Sequence, residues 1–113
     1  MKLLNLDTGE LLANNILVAK TFYTRLKGLM FTKNLPSDCA LHIQPCRGIH
    51  TFFMHYSIDV LHLDSNHKIV AIEENLQPGK IGNTYPCTVE VVELCAGKVQ
   101  ETKTKIGNRL QFK

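Results

Sequence analysis

The chain has 113 residues, 44% hydrophobic and 20% charged, a length and balance that suit one core-bearing domain and exclude a disordered tail, a collagen-like fibre and a disulfide-dense miniprotein. No run approaches the roughly 18 apolar residues that cross a bilayer, and the stretch from Met1 is broken by Asn5 and closed by Asp7, too short for a secretory core, so a cytoplasmic protein with no membrane association is expected. The net charge of +3 is uneven: from Lys98 onward five basic residues face Glu101 alone, while residues 1–97 carry eight basic and nine acidic.

In chain order, apolar alternation predicts short strands over 2–6 and 10–12, with Asp7-Thr8-Gly9 as the turn of an opening hairpin. Ile16-Leu17-Val18-Ala19 reads as a further strand, after which Phe22, Leu26, Leu29 and Met30 recur at helical spacing. Thr21 is placed to cap that helix and Gly28 to close it. Asn34 to Asp38 is a loop. Strands follow over 40–44, 51–55, 58–64, 68–74, 88–94 and 109–112, with Asp64-Ser65-Asn66-His67 turning one hairpin. Gln77 to Asn83 is the longest glycine and proline punctuation and is expected to be mobile. Many strands with one short helix near 21–28 predict a single domain, 1–113, mostly β, an antiparallel sandwich or barrel with the helix over one face or opening. Phe22, Phe31, Phe52, Phe53, Met30 and Met54 fall at core spacings rather than in a cofactor box.

The chemistry-bearing residues concentrate in 45–64. On a strand from Ile58, Asp59 shares a face with Leu61 and Leu63, so a buried Asp59 needs amide donors, a cation such as Arg25, or a donor such as His50. Cys46 and His50 stand four apart and invite a thiolate–imidazole reading with Asp59 orienting the ring, while Asp59 with Glu93 is the alternative pair for acid/base hydrolysis. The cysteines at 39, 46, 87 and 95 contain no Cys-x-x-Cys step and are expected to be reduced. Histidines at 42, 50, 55, 62 and 67 do not converge in sequence, since His62 falls on the strand face opposite Asp59, so no metal and no cofactor is expected. The basic end lacks the interleaved aromatics of a base-stacking platform, which argues against nucleic acid.

Gly28-Leu29-Met30 after the helix, Ile49-His50-Thr51-Phe52-Phe53-Met54 leading to Ile58-Asp59-Val60, Val92-Glu93-Leu94 with Ala96-Gly97, and the late Gly107 occur in an order that resembles the family called domain of unknown function 192, over about Thr21 to Leu110. The resemblance implies a bacterial or archaeal all-β domain of sandwich or jelly-roll type with minor helix, and no established activity. Many relatives carry tryptophan where this chain has Phe53, a proline where it has Ser57, Pro-Ala-Gly where it has Cys95-Ala96-Gly97, and Gly-Asp where it has Gly107-Asn108. Cys46 and His50 are absent from the tryptophan branch, whereas Asp59 and Glu93 fit the common pattern. The expected function is a non-catalytic module that binds a small polar ligand or peptide near His50, Thr51, Asp59, Glu93 and the Pro78 loop. The alternatives are a hydrolase using Cys46/His50 or Asp59/Glu93, and a structural protein docking an acidic surface through Lys98 to Lys113.

Overall fold

The computed structural model describes residues 1–113 apart from the side chain of Phe22, so the core position expected for Phe22 lies outside the described residues. The opening hairpin forms as its turn chemistry predicts: β1 (Leu3–Asn5) pairs antiparallel with β2 (Leu11–Ala13), and β8 (Leu110–Phe112) joins the other edge of β1. Asn5 holds this small sheet to the end of the chain. Fully buried, its Nδ2 donates to Thr104 Oγ1 at 3.2 Å and Asn108 Oδ1 at 3.0 Å, while its Oδ1 accepts from the amides of Asp7 and Thr8.

The second sheet has five strands in the order β3-β4-β7-β5-β6: β3 (Asn15–Ala19), β4 (Cys39–Ile43), β5 (Ile58–Leu63), β6 (Ile69–Leu76) and β7 (Glu90–Cys95). It is open at β3 and β6, so no barrel closes. Nor is the pairing wholly antiparallel, because β3 and β4 run parallel. Parallel neighbours need a crossover, and that crossover holds α1 (Phe22–Lys27), capped as expected by Thr21, whose hydroxyl accepts from Thr24 N–H. A second helix, α2 (Lys98–Glu101), adds to the one expected; four residues are too few to show a helical period.

β5 lies between β7 and β6 and is buried along its whole length. Its alternation divides the core. Leu61 and Leu63 face the three-stranded sheet and α2, packing with Leu3, Leu12, Val99 and Leu110. Ile58 and Val60 face the other way, with Leu29, Leu35, Leu41 and Met54 from the crossover, β4 and the loop before β5. The hairpin turn at 64–67 forms as expected, with Asp64 Oδ1 accepting from the amides of Asn66 and Lys68.

The strand expected over 51–55 does not form. The Thr51 amide and carbonyl are taken by the 79–80 loop, and Phe53 adopts φ 62°, which turns the chain out of extended geometry. Of the aromatic and methionine residues expected in the core, Met54 is buried, whereas Phe31, Phe52 and Phe53 are exposed.

Candidate functional site

Asp59 is 1% exposed and lies, as its pattern requires, on the face with Leu61 and Leu63. Its donors are backbone amides. Oδ1 accepts from Asn75 N–H at 2.9 Å, and Oδ2 from Gly97 N–H at 3.1 Å and Val99 N–H at 3.0 Å. The carboxylate therefore satisfies amides at the start of α2, where a helix leaves its N–H groups unpaired and attracts negative charge. Arg25, offered as a donor by the sequence, instead gives Nη1 to the Pro45 carbonyl and Nε to that of Thr21.

Thr51 is fully buried and is used by its neighbours in the same way. Its Oγ1 donates to the Gln77 carbonyl at 2.6 Å and accepts from Lys80 N–H at 2.8 Å, its amide donates to the Lys80 carbonyl, and its carbonyl accepts from Gly79 N–H. The loop expected to be mobile is thus anchored at its centre. Beside it, half-buried His50 bridges to Ile81, stacks on Phe52 and accepts from Phe52 N–H through Nδ1 at 3.2 Å.

Glu93 occupies the opposite face from Asp59. It pairs with Val60 on β5 and Leu41 on β4, both in the crossover-side core, whereas Asp59 pairs with Leu94. The sheet separates the two carboxyls, and they do not form an acid/base pair. Glu93 is 2% exposed, its Oε1 has no hydrogen-bond partner, and burial pushes its pKa up to about 8, so desolvation leaves it largely neutral at pH 7. Cys46 and Tyr56 pack against the same core. The Cys46 thiol donates to the Gly48 carbonyl at 3.1 Å rather than to His50, and burial pushes its pKa up, opposite to what an activated nucleophile needs. The Tyr56 and Thr32 hydroxyls lie 2.6 Å apart, and Thr32 donates onward to the Leu29 carbonyl.

Two carboxylate–imidazole pairs escape sequence reading because each needs the strand register. His62 Nε2 lies 2.8 Å from Glu73 Oε1 across β5 and β6, with Tyr85 edge-on to the ring and Asn83 N–H donating to Glu73 Oε2. His42 Nε2 lies 2.8 Å from Glu90 Oε1, which His67 Nε2 also approaches at 3.4 Å. Among the described residues no group of three or more His, Cys, Asp or Glu is placed to hold a metal ion, and no helix is long and apolar enough to cross a membrane. Where β3 and β4 end and β7 begins, a groove of about 440 Å³ is lined by Lys20, Gln44, Pro45, Val89 and Glu90. Both histidines reach Glu90 through Oε1.

Comparison with known proteins places these features in context. The sequence pattern of the family described as Uncharacterized ACR, domain of unknown function 192, matches residues 4–112. A UPF0127 protein of Thermococcus sibiricus is 29% identical over 118 residues, covering 97% of this chain and 73% of that protein. A crystal structure of a protein of unknown function from Novosphingobium aromaticivorans superposes with a TM-score of 0.81 at 17% identity, covering 98% of this chain and 82% of that one. A Sinorhizobium meliloti structure with the provisional description of transcription regulator gives 0.84 at 22% identity, with coverage of 97% and 89%. At these identities the structural likeness is one of fold.

Proposed function

The chain belongs to the domain of unknown function 192 family, and on that premise we propose that it is a single-domain, non-catalytic binding module whose groove beside Gln44 and Pro45 holds a small polar ligand. The observation that carries this reading is the groove itself: its volume of about 440 Å³ falls within the roughly 300–1,000 Å³ of small-molecule sites. Its lining includes Lys20, Glu90 and Gln44. That set complements a ligand bearing both a carboxylate and an ammonium group, such as a free amino acid. The core shared by the two sheets supports a small sandwich, with the ligand among loops at its end. Asp59 and Thr51 serve this reading by bracing the loops, and His50 and Glu93 by lining the regions they pack in, rather than by touching the ligand. The four free cysteines fit a reducing, cytoplasmic setting.

A thermal-shift screen with free amino acids and small dicarboxylates tests the reading, because a ligand that binds only the folded state raises the melting temperature with its saturation. The expected result is a shift for one zwitterionic class that is lost in Lys20→Ala. No shift with any probe, or an equal shift in the parent and the variant, contradicts it.

A further inference from the structure

The crossover presents a surface that the groove does not use. Tyr23 is 70%, Leu26 55%, Phe31 66% and Phe53 63% exposed, an aromatic and aliphatic cluster of the kind that marks an interaction site when it is contiguous. The cluster is built, not frayed. Phe31 N–H donates to the Phe53 carbonyl at 3.0 Å, the two rings stack with centroids 5.3 Å apart, and both residues are held in the left-handed region at φ 64° and 62°. Bulky side chains rarely adopt that conformation, and backbone held in it concentrates at ligand clamps and other functional sites. Beside the pair, Tyr23, Leu26, Lys27, Met30 and Phe31 enclose a concavity of about 170 Å³.

The segment that bears this surface carries charge of mostly one sign, and Lys27 lines the concavity itself. Residues 20–57 carry five basic residues, Lys20, Arg25, Lys27, Lys33 and Arg47, against Asp38 alone. Asp38 precedes the start of β4, where its carbonyl accepts from the amides of Asn14 and Asn15, at the other end of β3 from α1. A five-residue strand separates those ends by roughly 15 Å.

We propose that this face docks a segment of a partner protein in which an apolar anchor residue is flanked by acidic side chains. The concavity takes the anchor, and the basic last turn of α1, with Arg25 and Lys27, takes the flanks. Self-association through the same face would set two copies of that basic turn against each other. Single-stranded nucleic acid fits less well, because Phe31 and Phe53 turn their ring faces onto one another and the concavity is lined partly by Leu26 and Met30 rather than by open stacking platforms. An anionic lipid surface shares the charge but would leave a concavity unfilled.

Panning the intact protein against a random linear-peptide library tests this directly, with Leu26→Asp as the variant, since Leu26 is exposed and its replacement leaves the core untouched. The expected winners carry an aliphatic or aromatic residue between Asp and Glu. They bind the Leu26→Asp variant at least about tenfold more weakly, and they weaken as salt rises from about 50 to about 500 mM. The proposal is overturned if nothing is enriched, if the winners lack acidic flanks, or if their binding ignores Leu26→Asp. It is equally overturned if the property that Leu26→Asp removes is instead binding of oligothymidylate, co-sedimentation with phosphatidylserine vesicles, or dimerisation.

Discussion

Glu93 shows how a residue's chemistry is set by the strand on which it falls. Its sequence suggested an acid/base partner for Asp59, and only the register of β7 between β4 and β5 puts it against Leu41 and Val60 with an unpartnered oxygen. An acid whose folded pKa is raised to about 8 from 4.5 binds its proton more tightly in the native state than in the unfolded one. Its favourable share of stability is therefore complete below about pH 4.5 and lost as pH rises toward about 8, at up to about 1.4 kcal/mol per pH unit within that window. Glu93→Gln cannot titrate. Urea denaturation from pH 5 to 8 is expected to show the variant gaining on the parent as pH rises; a gap that stays constant across the range would mean that Glu93 is ionised and satisfied. Asp59 was easier to read, because its place between leucines on an alternating strand already demanded burial and donors. Thr51 was harder: its partners at Gln77 and Lys80 lie 26 and 29 residues away, and nothing local announces them.

Between elements, Asp59 is the point at which β5, the end of β6 and the start of α2 meet. Replacing it with alanine strands the amides of Asn75, Gly97 and Val99 without an acceptor, and chemical denaturation is expected to register a loss of about 1–3 kcal/mol. An Asp59→Ala variant as stable as the parent would show that water satisfies those amides. The elements that sequence reading located share a cause, local pattern: a Thr cap and glycine stop for α1, Asx turn chemistry for the β5–β6 hairpin, and alternation for β5 itself. Those it missed depend on distant partners. The run over 51–55 has the composition of a strand, but Thr51 is claimed by the 77–80 loop and Phe53 turns away. α2 depends on an aspartate some forty residues earlier, and the parallel β3–β4 pair depends on how the crossover returns.

For the molecule as a whole, mostly-β class was legible because strand signals recur along the chain, whereas the division into a three-stranded and a five-stranded sheet was not, since it rests on the pairing of the two ends. Leu3 with Phe112 and Asn5 with Leu110 are contacts that local pattern cannot supply. The radius of gyration, 12.5 Å, is close to the roughly 13 Å expected for a filled domain of this length. With both faces of the large sheet packed, a ligand site has to lie at the surface. Asp59, Thr51 and Glu93 are spent on bracing the fold, and the proposed ligand chemistry falls to Lys20, Gln44 and Glu90 in the surface groove. The measurement that tests this separation most directly is an amide chemical-shift map of the intact protein during titration with mixed free amino acids. Saturable shifts concentrated at Lys20, Gln44, Cys46, Val89 and Glu90 are expected. Saturable shifts centred instead on Thr51, Gly97 and Val99, or none anywhere, would contradict it.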